Sequence, residues 1–228
     1  MTDYLGPYQL GYNDTPEGGI YVGDARELAR AIPDESVDLI FTDPPYPREY
    51  LPLWRWLGEE ASRVLRPGGL CLAMSGQSYL PDIYAALSSS LEYHWTFLLE
   101  TPGEKCTIWP RRVSPGWKPV LSYSKGPYSG PWWGTDVMSS QMNDKRFHRW
   151  GQSESAVCSF LSRLPDGVLW EPFCGGGTTA AVWGKVLGHR YLAFEIDALV
   201  AKAARVRVRQ TQPPLFVPEA QQLEFERT

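Results

Sequence analysis

The most constraining feature of this 228-residue sequence is the run Asp43-Pro44-Pro45-Tyr46, which follows directly on the apolar segment 37–42. That segment is short and rich in β-branched and aromatic residues, so it predicts a buried parallel strand. Two successive prolines fix φ and remove two N–H donors, which stiffens the backbone after the strand. The corner presents a carboxylate, a proline carbonyl and an aromatic face, which together can bind the exocyclic amino group of a stacked nucleobase. Taken alone, it is equally compatible with an ordinary strand-to-loop corner.

Strand-like and helix-like segments alternate along most of the chain. Apolar residues follow helical spacing at 51–65 and 153–164, and the apolar runs between helices are short and bounded by Gly or Pro. The alternation predicts an α/β fold with a doubly wound, mostly parallel sheet. The expected domain covers 20–210, after an N-terminal arm at 1–19 with little structure of its own and before a tail at 211–228. Strands are predicted at 20–22, 37–42, 70–74, 93–99, 119–124, 168–170 and 191–194, and helices at 25–31, 51–65, 80–87, 153–164, 178–187 and 198–207.

The regular alternation lapses between residues 101 and 150. This segment holds eight Lys or Arg against three Asp or Glu, a net charge of +5 in a chain whose total is −4. It also contains five of the ten tryptophans. Basic side chains interleaved with aromatic ones are typical of a surface that follows phosphates and stacks bases. We therefore interpret 101–150 as a nucleic-acid-binding insertion, with a solvated irregular insertion as the alternative.

Composition excludes several other classes. The four cysteines are scattered without a Cys-x-x-Cys pair, so no metal site is expected. No stretch approaches the ~20 apolar residues of a membrane span, and the N-terminus lacks a signal-peptide pattern, so a cytoplasmic protein is expected. Five tryptophans fall within predicted helices and strands and are expected in the core: Trp54, Trp56, Trp95, Trp170 and Trp183.

A glycine-rich stretch, Glu171-Pro172-Phe173-Cys174-Gly175-Gly176-Gly177-Thr178-Thr179, lies between a predicted strand and a predicted helix. Glycines let a ligand approach the backbone, and the helix N-terminus offers free N–H groups. Glu195 ends the next strand, where dinucleotide-binding folds place a ribose-binding acid. The spacing fits neither Gly-x-Gly-x-x-Gly nor a phosphate-binding P-loop, which leaves open a ligand with an amino-acid moiety and an adenosine.

These two stretches resemble the motifs of the DNA amino-methyltransferases. Residues 43–46 resemble the catalytic motif of that family, and residues 171–179 resemble its S-adenosylmethionine-binding motif. The order, with the catalytic motif first, is similar to the permuted β-class, and the likeness runs from about Ile20 to Arg207. Two features depart from the pattern, because Glu171 stands where Asp is usual and the segment before His148 is short for a target-recognition domain.

The resemblance implies a Rossmann-like, S-adenosylmethionine-dependent enzyme that methylates N6 of adenine in double-stranded DNA after base flipping, as in restriction–modification systems. By this resemblance, Asp43 and the Pro44 carbonyl accept the amino hydrogens while Tyr46 stacks on the base. Glu195 binds the ribose and Asp24 the adenine of the cofactor. The full sets are the catalytic Asp43, Pro44, Pro45 and Tyr46; the cofactor-binding Asp24, Glu171, Phe173, Cys174, Gly175, Gly177, Thr178, Thr179 and Glu195; and the DNA-binding Lys105, Arg111, Arg112, Lys118, Lys145 and Arg146.

Several alternatives stay open beside this interpretation. N4 of cytosine is the alternative target, although the family's cytosine enzymes more often begin the motif with Ser. A non-catalytic, S-adenosylmethionine-fold partner subunit that binds nucleic acid is a different class, and so is methylation of RNA or of a protein glutamine. Both motifs are intact and the first begins with Asp, which favours the DNA enzyme. The resemblance also implies a bacterial or phage-encoded protein and a possible homodimer.

Overall fold

The computed structural model describes residues 3–12, 19–100, 102, 107–139 and 153–212. The described part of the chain contains ten strands, six α-helices and three short 3₁₀ helices. The strands are β1 Tyr4–Leu5, β2 Tyr8–Gln9, β3 Ile20–Val22, β4 Val37–Thr42, β5 Leu65–Met74, β6 Glu92–Glu100, β7 Trp117–Ser124, β8 Val137–Ser139, β9 Val168–Glu171 and β10 Arg190–Glu195. The helices are α1 Ala25–Leu28, α2 Leu51–Val64, α3 Leu80–Ser88, α4 Glu154–Leu161, α5 Thr178–Ala180, which continues as a π-helix over Ala181–Val186, and α6 Ala198–Gln210.

Eight strands form one sheet in the order β3-β10-β9-β4-β5-β7-β6-β8. Strand pairs from β3 to β5 are all parallel, β7 is antiparallel to both its neighbours, and β8 runs parallel to β6. The predicted mostly parallel α/β sheet is confirmed. Because β4 leads to β5 on one side and β9 leads to β10 on the other, the winding reverses between β4 and β9.

Both faces of the sheet are covered. In β4, Leu39 and Phe41 join a buried cluster with α4 and α6, whereas Val37 and Ile40 join a second cluster with α2 and α3. Side chains that alternate between two apolar environments are what a central parallel strand requires. Each face contributes large buried side chains, such as Trp183 on the first and Trp54 on the second. The double winding anticipated from the sequence is thereby explained.

Two elements differ from the sequence-based expectations. Strand β5 starts at Leu65 rather than at residue 70, directly after α2 ends at Val64. The Arg66–Gly69 segment therefore belongs to the strand, and the register of β5 against β4 shifts there. Its backbone is held by Gly68 N–H donating to the Lys125 carbonyl at 2.8 Å. Strand β8 lies within a region expected to be irregular. Three residues give too short a pattern to detect, and β8 exists because β6 offers it an edge.

The N-terminal arm is also more ordered than expected. β1 and β2 form an antiparallel hairpin that buries Leu5, Tyr8 and Leu10 against the sheet. The Tyr8 ring meets Phe194 edge-on, with ring centroids 5.3 Å apart. Two-residue strands carry no periodicity of their own, so tertiary packing rather than local sequence makes this hairpin.

The tryptophan prediction holds for most positions. Trp54, Trp170 and Trp183 are buried and Trp56 is partly buried, but Trp95 is 50% exposed, so its core assignment is wrong. Trp95 lies on β6 near the edge of the sheet, where its indole N–H donates to Asp136 at 3.2 Å. Within the described ranges, no helix combines the length and apolarity needed to cross a membrane. The same residues contain no cluster of three or more His, Cys, Asp or Glu arranged to hold a metal.

Candidate active site

Three acidic residues stand at the carboxyl ends of three neighbouring strands. Glu195 ends β10, Glu171 ends β9 and Asp43 directly follows β4. Open α/β sheets bind ligands outside these strand ends, at the point where the winding reverses. That point lies between β4 and β9, so the structure brings the two motifs of the sequence together at the expected ligand-binding edge.

The corner at 43–46 is closed by its own side chains. The Tyr46 hydroxyl donates a hydrogen bond to Asp43 Oδ1. On the other side, Lys118 Nζ lies 3.6 Å from Asp43 Oδ2 and 5.2 Å from the centroid of the Tyr46 ring. Gly76, after β5, packs so closely on Tyr46 that a Cβ there would lie 3.2 Å from Cδ2 of the ring. An amino group entering this corner therefore replaces a contact that already exists.

Burial reinforces the neutral state of the Tyr46 phenol. It raises the pKa of the Tyr46 hydroxyl well above its usual range, and the adjacent Asp43 carboxylate raises it further. The ring is consequently a neutral phenol at physiological pH, and its hydroxyl is a hydrogen-bond donor to Asp43. This fixes the direction of the hydrogen bond within the corner.

The structure places Lys118 beside the 43–46 corner, where β7 directs its side chain to the Asp43 carboxylate. The sequence assigned it to a DNA-binding surface with Arg111 and Arg112, and that assignment stays a prediction. Nothing in the local sequence distinguishes Lys118 from the other basic residues of 101–150. The position follows from the antiparallel pairing of β7 with β5, which only the folded sheet reveals.

The glycine-rich loop makes a tight turn beside β10. Gly175 and Gly177 have φ of +51° and +73°, in the left-handed region that favours glycine. A Cβ on Gly175 would face open space, whereas one on Gly177 would lie 2.8 Å from the Ala204 Cβ. Gly177 thus allows close packing on α6, and Gly175 leaves a bare backbone on the open side of the loop. The sequence-based interpretation of this stretch as a turn at a strand end agrees with the structure.

Glu195 fastens this loop to the end of β10. Its Oε2 accepts from the Gly175 N–H at 2.8 Å and its Oε1 accepts from the Asp197 N–H at 2.9 Å. A carboxylate has about four lone-pair sites, so both oxygens keep acceptor capacity. Directly after it, Ile196 is 70% exposed. The sequence shows an isoleucine after the strand-ending acid, but only the structure shows that this large apolar side chain borders the site.

Glu171 is the most buried acid of the three. It is 4% exposed, and Oε2 has no hydrogen-bond partner among the described residues. Burial raises the pKa of Glu171 well above its usual range, while a hydrogen bond with Thr179 lowers it. The negative charges of Asp43 and Glu195 raise the pKa further, and Arg207 lowers it. A positively charged neighbour would stabilise the ionised form of this buried carboxyl group.

Other residues of the loop have structural surroundings. The Thr178 hydroxyl accepts from the fully buried Arg207 at 2.7 Å, and Arg207 also contacts Glu154 Oε1 at 3.2 Å. Cys174 is buried and donates its backbone N–H to Phe194, while burial raises the pKa of its thiol. Phe173 is partly buried against Trp56. Arg207 was not singled out from the sequence, because a charged residue near a helix end is ordinarily solvent-exposed.

Asp24 lies at the end of β3, next to β10. Its side chain caps α1 by accepting from the Arg26 N–H at 2.9 Å, and it forms an ion pair with the Arg26 guanidinium at 2.6 Å. The hydrogen bond from Arg26 lowers the pKa of Asp24. The acid is placed at the predicted edge of the site, but Arg26 already occupies much of its acceptor capacity.

The predicted DNA-binding residues are only partly within the described structure. Arg111 and Arg112 are exposed at a short 3₁₀ turn, and Arg111 donates to the Ser78 carbonyl at 3.2 Å, in the loop after β5. Trp109 and Trp132 are 79% and 85% exposed, whereas Trp133 is buried. Lys105, Lys145 and Arg146 lie outside the described residues.

Comparison with known proteins gives sequence relatives of one kind. The chain is 26% identical to the type II methyltransferase M.BamHI of Bacillus amyloliquefaciens over 240 residues, 81% of this chain and 56% of that protein. It is 28% identical to the type II methyltransferase M.PvuII of Proteus hauseri over 83 residues, 31% of this chain and 25% of that protein. The first match spans little more than half of its relative, and no protein-family model matches the chain.

Solved structures show the same fold. A Thermus thermophilus protein, TTHA0409, provisionally described as a DNA modification methylase and complexed with S-adenosyl-L-methionine, superposes with a TM-score of 0.69 at 20% identity, covering 86% of this chain and 94% of its own. The M1.HpyAVI–SAM complex gives 0.70 at 18% identity, over 83% and 98% of the two chains. The cytosine-N4-specific PvuII DNA methyltransferase gives 0.67 at 17%, over 82% and 85%. The expected methyltransferase fold is confirmed.

Proposed function

We propose that this chain transfers a methyl group from S-adenosylmethionine to an exocyclic amino nitrogen in DNA, N6 of adenine. One observation carries the proposal: the 43–46 corner and the glycine loop with Glu195 meet at the reversal point of a methyltransferase-fold sheet. The sequence relatives named as type II methyltransferases support the reaction class. Two neighbours in complex with this cofactor support the choice of methyl donor.

The residues present fit the cofactor. Glu195 keeps lone pairs for the ribose hydroxyls, and the exposed Ile196 offers an apolar surface for the adenine. Gly175 leaves room for close approach to the backbone. Oε2 of Glu171, which has no hydrogen-bond partner among the described residues, suits the positively charged methionine end. Asp24 would accept from the adenine amino group while it keeps its contact with Arg26.

The chain's own residues then position the nucleophile. When bound, the cofactor supplies a methyl group on a sulfonium. The target base leaves the duplex and its amino group donates to Asp43 and to the Pro44 carbonyl, which directs the nitrogen lone pair away from the ring. Tyr46 contributes the stacking surface once its hydroxyl releases Asp43. As the nitrogen–carbon bond forms and the sulfur keeps the electron pair, the amino group loses a proton, for which Asp43 is the adjacent acceptor. Orientation and electrostatics supply the catalysis.

The choice of base separates two candidates. Asp at the first position of the 43–46 motif favours adenine N6, by the resemblance described above. A specific observation favours the second candidate, since the PvuII methyltransferase of the same fold is specific for cytosine N4. A non-catalytic partner subunit is disfavoured because both the corner and the cofactor loop keep their functional side chains. Double-stranded DNA, a cytoplasmic location and a homodimer belong to the same proposal.

The test is methylation of unmethylated genomic DNA followed by mass spectrometry of the nucleosides. We expect N6-methyl-2′-deoxyadenosine from the unaltered protein, and none from Asp43→Ala, which should still bind S-adenosylmethionine. Asp166→Ala, a surface carboxylate paired with His189, is the matched control and should methylate normally. N4-methyl-2′-deoxycytidine would instead identify the second candidate. Cofactor binding without either product would refute DNA as the substrate.

A further inference from the structure

Glu171 is surrounded by negative charge on both sides of the sheet edge. It ends β9, between Glu195 on β10 and Asp43 after β4, and these are its two immediate strand neighbours. Both neighbours are half-buried, whereas Glu171 is 96% removed from solvent, at 4% exposure. The middle acid of the three therefore has the least water to stabilise an ionised carboxylate.

The remaining groups around Glu171 do not compensate for that burial. The Thr179 hydroxyl on α5 hydrogen-bonds to its side chain, but Oε2 has no partner among the described residues. The guanidinium of Arg207 on α6 acts on it electrostatically, yet that group is hydrogen-bonded to Glu154 and Thr178. The Cys174 thiol and the Tyr191 hydroxyl complete the titratable surroundings, and burial raises the pKa of both. Among the described residues, Arg207 is the positive group that acts on Glu171 itself, while Arg205 acts on Cys174 and Tyr191.

An ionised carboxylate in this position is costly. A buried charge without full pairing shifts toward its neutral form, and nearby like charges act in the same direction. The raised pKa of Glu171 agrees with this reasoning from geometry. A cation placed against Oε2 favours the ionised carboxylate instead, because it pairs the charge.

We propose that Glu171 carries a proton in the cofactor-free protein and releases it when the positively charged methionine moiety of the methyl donor binds. This inference rests on the proposed function, since it assumes that the donor is S-adenosylmethionine. Two positive groups share the required chemistry, the α-ammonium and the sulfonium. The exchange makes cofactor affinity depend on pH. Binding should weaken about tenfold for each unit by which the pH falls below the pKa of Glu171.

Calorimetric titration of the intact chain, in buffers of different ionisation enthalpy at one pH, measures the proton release. The unaltered protein should release about one proton more per S-adenosylmethionine bound than Glu171→Gln, whose amide mimics the protonated acid. The variant also corrects for titration of the ligand's own amine. Asp166→Ala, which removes a surface carboxylate paired with His189, is the matched control and should keep both the affinity and the release. Equal release from the unaltered protein and Glu171→Gln would overturn the proposal.

Two analogues identify the cation. S-adenosylhomocysteine keeps the ammonium but lacks the sulfonium charge, so retained release assigns the exchange to the ammonium and lost release assigns it to the sulfonium. 5′-Methylthioadenosine has neither charge and should release no proton, and release with it would contradict the proposal. Binding of S-adenosylmethionine without proton exchange refutes this inference alone. Failure to bind S-adenosylmethionine refutes the proposed function with it.

Stability provides a second readout that does not require ligand. A carboxyl whose pKa is raised in the folded state stabilises that state at low pH and loses this contribution as pH rises. The cofactor-free protein should therefore lose stability above about pH 4.5, the ordinary value for a glutamate, relative to Glu171→Gln. Parallel stability curves for the two proteins across that range would count against a proton on Glu171.

Discussion

Replacement of Lys118 by methionine tests whether the structure or the sequence pattern assigns this residue correctly. The ammonium lies 3.6 Å from Asp43 Oδ2, and both side chains are about one-quarter exposed, at 26% and 23%. Attraction between the two charges holds one edge of the carboxylate while Tyr46 holds the other. Methionine keeps the length and apolar stem of lysine but removes the charge, so the carboxylate loses its ion pair with the Lys118 ammonium.

The distance sets the size of the effect. Two unit charges 3.6 Å apart attract by about 4 to 5 kcal/mol at an effective dielectric constant of 20 and by about 1 kcal/mol in bulk water. Desolvation and side-chain entropy offset much of the larger value for a partly exposed pair. We therefore expect a net loss of about 1.4 kcal/mol in transition-state stabilisation, which is about a tenfold decrease in kcat/KM.

Steady-state methylation at several salt concentrations measures this effect. Lys118→Met should lower kcat at saturating DNA and leave cofactor affinity unchanged. Lys125→Met is the matched control, because Lys125 Nζ pairs with Glu35 at 3.0 Å away from the site, and its activity should stay normal. If Lys118 instead contacts a phosphate, the variant will keep its kcat and the salt slope of DNA binding will fall by about 0.9. That pattern would refute the positioning role.

Three further predictions follow from the site and its supports. Glu195→Gln should weaken S-adenosylmethionine binding about tenfold, because one charged acceptor of ribose hydroxyls is lost, and unchanged calorimetric affinity would contradict the ribose role. Arg111→Ser combined with Arg112→Ser should lower the salt slope of DNA binding by up to about 1.8, and an unchanged slope would place the DNA surface elsewhere. Gly177→Ala should cost about 2 to 4 kcal/mol in free energy of unfolding, since it combines left-handed strain with a 2.8 Å approach to Ala204. Gly175→Ala, which faces open space, should cost only the strain of about 1 to 2 kcal/mol, and equal urea denaturation midpoints for the two variants would refute this reasoning.

The fold could be predicted from sequence where local pattern and tertiary environment agree. The apolar runs at 37–42 and 168–170 form central strands because a strand buried on both faces needs no polar alternation. Short pieces without periodicity escaped prediction, as with the N-terminal hairpin and β8. Trp95 was placed in the core because strand composition does not reveal which strand lies near the edge of a sheet.

What the sequence determined by itself is the pair of strand-end stretches, at 43–46 and 171–179, because proline, glycine and acidic residues impose their own local geometry and chemistry. Only the tertiary structure decided which residues surround these two stretches. Strand pairing directed Lys118 to Asp43, and the order of β10, β9 and β4 set three carboxylates side by side. Burial then raised the pKa of Glu171, the most buried of the three. Desolvation depends on everything packed around a group and not on its place in the chain.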